Sequence, residues 1–433
     1  MPLPPGPREP AVLQTVEWIA RPTAFLRRCR ARYGEPFTIR VAWADAPMVL
    51  VSDPEEIRRV FTAPPGTLRG GSSSTVLEPF TGPASILVLD GAEHLRQRRL
   101  LLPSFHGEAL ERWQGTIAEL ARAELARWTA GAPLQTHRRM QALTLDVILR
   151  VVFGPGERPE LRAAIRRALD LTRSLPRLVA MSVVRHPAGP WGTFLRAVRD
   201  VDAMLYRAIA DEPGEASLLA VLRAARHEDG TPPTEAELRD QVVTILAAGH
   251  ETTAGALAWS VERLAHHPAV LDRMRHGGDP YLDAVVKEVL RVRPVLSIAA
   301  RRVETPYEIA GHTLPPGVHV APCIYLAHRR PEAWDQPTAF RPERFLGPAP
   351  APHTYLPFGG GLRRCAGAAF ASLEMREVLR AVAERFALRP RRPGSERMRR
   401  GSVTLMPARG AVVVPEPLQP SSSPCPSSAA TTG

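Results

Sequence analysis

Residues 358–367 read F-G-G-G-L-R-R-C-A-G, and no other stretch constrains the chain as much. Glycines at 359, 360, 361 and 367 free the backbone for a tight turn and for close approach to whatever lies beside it. After Cys365 come Phe370, Leu373, Val378, Leu379, Val382 and Phe386, whose spacing predicts a helix. The Cys365 sulfur therefore falls near a helix N-terminus, where the dipole favours an anion. A lone cysteine is more often a small buried hydrophobe. Here it sits in the pattern F-x-x-G-x-R-x-C-x-G, met by Phe358, Gly361, Arg363, Cys365 and Gly367. In a chain of this composition the chance odds of that match are on the order of 10⁻⁴.

A second constellation lies on a predicted helix running from Thr234 to His266. Thr234 and Glu237 form a capping-box pattern, and Pro268 follows the end. At 1.5 Å per residue the helix spans roughly 50 Å, long enough to cross a globular domain. Near its middle is A-G-H-E-T-T, Ala248 to Thr253. An acid beside an alcohol, Glu251 and Thr252, suits proton delivery. The bland alternative is a threonine bonding back to its own helix, with the glutamate on a solvated face.

Two further patterns bracket these. Glu288 and Arg291, in E-x-x-R, share one helical face. The downstream P-E-R-F supplies Arg344. His94 and Arg98, in H-x-x-x-R, are four apart on another helical face. Alternatively, that face is a solvated basic stripe.

Together and in this order, the four motifs resemble those of the cytochrome P-450 superfamily, the haem-thiolate monooxygenases, over about residues 5–415. The resemblance implies a mainly α fold with a small β region, the haem held between a long distal helix and a Cys-containing proximal loop. It implies haem b with Cys365 as the iron ligand. It makes His94, Arg98, Arg301 and Arg363 propionate partners, with Arg302 the competitor of Arg301. Phe358, Gly361 and Gly367 shape the loop. Gly249 leaves room on the distal side, Thr252 hydrogen-bonds dioxygen or a water there, and Glu251 relays protons. Glu288, Arg291 and Arg344 lock the scaffold, and His250 carries no metal. The electrons start from NAD(P)H and arrive through an acidic ferredoxin or flavodoxin with its reductase.

Bulk properties agree with a globular enzyme. The 433 residues are 44% hydrophobic and 23% charged. Of 56 basic residues one is a lysine, Lys287, leaving 55 arginines and a net charge of +12. The arginines are dispersed without a nucleic-acid-binding module, so docking of an acidic electron carrier is the better reading. Four cysteines (29, 323, 365, 425) without paired spacing point to a reducing compartment. No leader-like or 18-residue apolar run is present. The expectation is a soluble bacterial monomer in the cytoplasm without a membrane anchor. Residues 1–10 read as a flexible proline-rich lead, 11–416 as one catalytic domain and 417–433 as a disordered Ser/Pro-rich tail.

Short strands are predicted at 37–43 and 48–52, and a second hairpin-like stretch at 307–321, turning near Gly311 and Pro315-Pro316-Gly317. Family variation over the distal face maps to 70–89, 171–191, 246–247, 295–299 and 402–404. These segments are rich in aliphatic and hydroxyl residues. Arg173, Arg177 and Arg185 could meet a carboxylate near an entrance. The expectation is hydroxylation or epoxidation of a small apolar substrate, a fatty acid or terpenoid. The alternatives are tailoring of a polyketide or other secondary metabolite, and a peroxide-driven or isomerising enzyme.

Overall fold

The computed structural model describes residues 2–42, 44–74, 77–171, 177, 181, 186–211, 217–401 and 403–418. Its helices include α1 (Gly91–Leu101), α2 (Thr136–Phe153), α3 (Pro190–Ala210), α4 (Glu235–His266), α5 (Gly278–Val292) and α6 (Ala368–Arg385).

Helix α4 forms as the sequence predicts. Thr234 Oγ1 accepts from Glu237 N at 3.2 Å, and Glu237 Oε2 accepts from Thr234 N at 2.8 Å. Its apolar residues lie all round rather than on one stripe, which marks a helix enclosed by protein. Helices α2, α3 and α6 pack against it. At its far end the buried Trp259 indole donates to Leu405 O at 3.1 Å.

The N-terminal half of α4 pins what covers it. Asp240 accepts from Ala84 N at 2.8 Å, Ser85 Oγ meets Thr244 Oγ1 at 2.6 Å, and Gln241 donates to Ala84 O. Gly82 lies so close that a Cβ there would sit 2.1 Å from the Asp240 carboxylate. Arg239 donates to Asp202 on α3 at 2.8 Å.

The strands are β1 (Phe37–Ile39), β2 (Met48–Val51), β3 (Leu68–Arg69), β4 (Leu134–Gln135), β5 (Arg301–Val303), β6 (Tyr307–Ile309), β7 (His312–Leu314), β8 (His319–Pro322), β9 (Phe386–Pro390), β10 (Met398–Gly401), β11 (Thr404–Pro407) and β12 (Val412–Pro417). The largest sheet has the order β1-β2-β8-β5-β3. The first predicted hairpin is present, β1 antiparallel to β2 with Thr38 opposite Val49, though shorter than expected. Trp43, its expected end, lies outside the described residues.

The stretch 307–321 divides, where one hairpin-like unit was expected. β6 and β7 turn through Ala310 and Gly311, both at positive φ (45° and 76°), as a two-residue type I′ turn requires. Beyond the second turn, β8 leaves them and pairs parallel with β2 and antiparallel with β5.

The N-terminal lead also differs from expectation. Pro4 O accepts from Thr38 Oγ1 at 2.6 Å, Pro5 O accepts from Thr38 N at 2.9 Å, and Pro4 and Pro7 are buried. Proline lacks the N–H but keeps its carbonyl, so a proline-rich segment can still dock on a strand by accepting. Leu418 is the last described residue, so the rest of the expected tail, with Cys425, lies outside the description.

Glu288 and Arg291 are both fully buried. Arg291 donates to both Glu288 oxygens at 2.6 and 2.8 Å, and to the carbonyls of His328, Pro337 and Ala339. Arg344 Nε adds a bond to Glu288 at 3.2 Å, and Arg341 N another at 2.8 Å. Every polar atom of a charge this deep needs a partner. We expect Arg291→Ala to lower the unfolding free energy by about 3–5 kcal/mol, read by chemical denaturation. A loss below about 1 kcal/mol would show that the cluster holds little.

Candidate active site

The 358–367 loop closes on itself. Cys365 N donates to Phe358 O at 2.9 Å, and Arg364 N donates to Gly361 O at 3.0 Å. Gly361 has φ +66°, and a Cβ there would meet Phe61 O at 2.6 Å, so only glycine fits. Phe358 is half-buried against the core. Gly367 caps α6, accepting from Ala371 N at 2.9 Å, while its own N–H points at the Cys365 sulfur.

Cys365 presents open surface, yet its sulfur sits in a recess walled by protein. That enclosure pushes the thiol above its ordinary value, against the pull of the Gly367 N–H, Arg364 and Arg98. The helix terminus and nearby cations alone do not outweigh burial. A bound metal cation is what stabilises a thiolate in such a place.

Four basic side chains from three elements gather beside the loop. His94 and Arg98 come from α1, Arg301 from β5 and Arg363 from the loop itself. Burial, together with Arg363, Arg98 and Arg301, pushes the His94 ring down to about 4. Burial and Arg363 push Arg301 down to about 10. Burial lowers Arg98 as well. The acid facing them is Asp90, which Arg363 Nη2 contacts at 2.5 Å. Asp90 also accepts from the backbone N–H groups of Gly70, Gly71 and Ser72 at 2.8–3.0 Å. Burial alone would raise Asp90; these N–H groups and Arg363 hold it below the ordinary carboxylate range. Arg301 donates to the Ala300 carbonyl at 2.8 Å. Among the described residues, neither the His94 ring nor the Arg98 guanidinium has a hydrogen bond to a protein acceptor. A buried basic cluster with one acid fits a group that brings its own carboxylates, as haem does with two propionates. The recessed thiol fits its iron.

Arg301 joins this cluster, whereas Arg302 turns the other way and pairs with Asp45 at 2.7 Å. Adjacent strand residues point to opposite faces, and β5 presents Arg301 to the site. Arg363 already has a carboxylate partner in Asp90. It also donates to the carbonyls of Ile86 and Leu87 at 3.1 and 3.3 Å, and so ties 86–90 to the loop.

On α4 the enclosure opens at one point. Ala248 is exposed, and Ala247, Gly249 and Thr252 are half-buried, whereas residues 238–246 and 253–265 are buried. Thr252 Oγ1 donates back to Ala248 O at 2.6 Å, the bonding seen when a threonine side chain competes within its helix. Glu251 faces away from this opening, towards α2: Gln141 Nε2 donates to it at 2.7 Å, and His137 Nε2 lies 3.6 Å away. The acid and the alcohol are neighbours in sequence but lie on different sides of the helix. A Cβ at Gly249 would meet Ile148 Cδ1 of α2 at an ordinary contact distance of 3.4 Å.

Two features escaped the sequence reading. Asp90 is the residue before α1, and its acid immediately ahead of G-A-E-H was the available signal. His137, Gln141 and Thr144, spaced i, i+4 and i+7 on α2, had no motif to mark them.

Of the distal-face segments, 75–76, 172–176, 178–180, 182–185 and Ser402 lie outside the described residues, as do Arg173 and Arg185. Among the described residues, no helix is long and apolar enough to cross a membrane.

The family model Cytochrome P450 matches residues 4–414. A Mycobacterium tuberculosis protein named cytochrome P450 135B1 is 39% identical, over 95% of this chain and 91% of its own length. Cytochrome P450 135A1 of the same species is 38% identical, over 94% of each. Among solved structures, retinoic acid-bound cyanobacterial CYP120A1 superposes with a TM-score of 0.85 at 25% identity, over 96% of this chain and 100% of that one. The haem domain of cytochrome P450DA gives 0.84 at 22% identity, over 97% and 98%.

The His94 value sets a pH dependence in the haem-free protein. A ring protonating near 6.5 when unfolded and near 4 when folded favours folding fully above pH 6.5. That contribution is lost as pH falls from 6.5 towards 4, because the unfolded chain takes a proton that the folded ring refuses. We expect His94→Gln to remove up to about 3 kcal/mol of this acid-limb loss, measured by denaturation at stepped pH. An unchanged slope in that window contradicts the assignment. Added haem should shrink the effect, since carboxylates favour the charged ring.

Proposed function

The chain belongs to the cytochrome P450 family of haem-thiolate monooxygenases, and from that premise we propose that it hydroxylates or epoxidises a fatty acid or terpenoid. Family membership implies a haem held by a cysteine thiolate and electrons from redox partners. Haem so held supplies the oxidising power that splits dioxygen and places one oxygen atom in the substrate. The overall change is R–H + O2 + two electrons + two protons → R–OH + H2O.

The chain's own residues then divide the work. Cys365 is the metal ligand, and the Gly367 N–H, Arg364 and Arg98 steady its charge. His94, Arg98 and Arg301 receive the propionates, and Arg363 holds the 86–90 segment through Asp90. Thr252, at the opening of α4, keeps a proton at Oγ1 on the side where dioxygen is reduced. Glu251, held on the α2 side of the helix, restores that proton by way of water. Leu362, 62% exposed, and Arg364 stand at the outer tip of the thiolate loop. They suit an acidic ferredoxin or flavodoxin carrying electrons from NAD(P)H.

The observation that carries the substrate reading is the opening on α4. Its accessible positions are two alanines, a glycine and a threonine, an apolar wall with a single hydroxyl. The half-buried Ile86, Leu87, Ile298 and Ala299, from segments assigned to the distal face, have the same character. The solved relative named for its retinoic acid is bound to an isoprenoid, which supports the same class.

The test is a titration of haem-loaded protein with fatty acids and terpenoids, followed at the Soret band. A low-to-high-spin shift with one lipid class, and NADPH consumption with that lipid through a surrogate ferredoxin system, is the expected outcome. Silence with every lipid, while an azole still binds, overturns the substrate class and favours a polyketide or other secondary metabolite.

A further inference from the structure

The contact between α2 and α4 is mostly apolar, and one polar row interrupts it. His137, Gln141 and Thr144 occupy one face of α2 at i, i+4 and i+7. All three are buried, at 7%, 8% and 1% exposure. They face residues 250 and 251 of α4. Thr144 Oγ1 donates to His250 O at 3.1 Å and lies 2.9 Å from His250 Nδ1. Gln141 Nε2 donates to Glu251 Oε2 at 2.7 Å. His137 Nε2 stands 3.6 Å from Glu251 Oε1, and His250 Nε2 stands 3.9 Å from Glu251 Oε2.

The outer end of the row reaches solvent. His137 and Gln141 line a cleft of about 420 Å³, together with Arg138, Arg399, Met406 and Arg409. His137 N donates to Gly410 O at 3.0 Å, which seats the residue under the 407–410 turn. The two side chains that touch Glu251 are thus also walls of an open cleft. On the next residue of α4, Thr252 turns towards the opening. Packing alone does not call for this row: placing three polar side chains in an apolar helix contact is unfavourable unless they are partnered.

We propose that His137 is the solvent-side relay that reprotonates Glu251, drawing protons from the cleft between α2 and residues 406–410. The inference rests on the acid–alcohol roles given to Glu251 and Thr252. The neutral ring takes a proton at one nitrogen from cleft water and gives one from the other to the Glu251 carboxylate. Tautomer exchange through water then resets the ring. Only protons move in this step; electrons and dioxygen come from the family reaction. The 3.6 Å gap closes to hydrogen-bond length by a shift of roughly half an ångström or by one water. Gln141 is the positioning residue, holding the other carboxylate oxygen. Glu251 on α4 faces the His137 ring, and Arg138, Arg399 and Arg409 line the same cleft.

The test uses haem-loaded wild type and the variants His137→Gln, His137→Asn, Glu251→Gln and Thr252→Ala, each checked for unchanged melting. In the resting protein, NMR titration of the His137 ring protons reports the coupling without turnover. The ring pKa should fall in Glu251→Gln and stay unchanged in Thr252→Ala. In turnover, His137→Gln should raise the peroxide share of consumed electrons several-fold and enlarge the solvent deuterium effect. Product formation should fall on the order of tenfold and recover in part as pH is lowered. A purely structural ring leaves the isotope effect and the pH profile as in wild type, and that result overturns the relay. Normal coupling in Glu251→Gln and Thr252→Ala as well would instead overturn the acid–alcohol roles. Loss of coupling in those two, with the His137 variants normal, overturns the relay alone.

Discussion

Burial of a 32-residue helix on nearly every side sets where everything else can sit. Along α4 the surrounding elements supply apolar surface, so each polar residue on it must be answered by a specific partner. Asp240 is answered by the Ala84 N–H, Arg239 by Asp202, Thr244 by Ser85, and Glu251 by Gln141. Those same answers fasten the 82–90 segment and α3 over the N-terminal half, and α2 along the middle. Among the described residues the cover is thinnest at Ala247–Gly249 and Thr252, the stretch proposed as the distal wall. Scaffold and site are one packing problem: the partners that satisfy the helix also frame its opening.

A second constraint is electrostatic. The basic side chains of His94, Arg98, Arg301 and Arg363 gather beside the loop, Arg363 holding Asp90, and burial lowers the first three. Two carboxylates brought by a bound group would turn that crowding into a clamp. The thiol shows the same logic with opposite sign. Enclosure penalises the bare thiolate, and a cationic metal removes the penalty. Both halves of the site are organised around charges that the polypeptide does not supply.

Much of this could be read from the sequence because short-range rules applied. The capping box at Thr234, the run of α4 and the buried Glu288–Arg291 pair all depend on spacings of three or four residues. The cysteine loop is local as well, closing from Cys365 N onto Phe358 O, although the need for glycine at 361 comes from Phe61, distant in sequence. What stayed hidden depends on which neighbour a side chain meets. Arg301 and Arg302 are equivalent until β5 is placed in its sheet, which turns one to the site and the other to Asp45. Glu251 and Thr252 look like a contiguous pair until helical rotation sends the acid towards α2. The strand β8 separates from the β6–β7 hairpin because a parallel partner, β2, lies more than 250 residues upstream. Composition alone misread the N-terminal prolines, since their carbonyls remain acceptors for Thr38.

The central claim is that Cys365 is the iron ligand of a haem-thiolate centre. It is tested most directly by the ferrous–carbonyl absorption spectrum of wild type against Cys365→Ser. The account predicts the thiolate-specific red-shifted band in wild type and its loss in a variant that still retains haem. The same band in both proteins would contradict the assignment and require another residue to hold the iron.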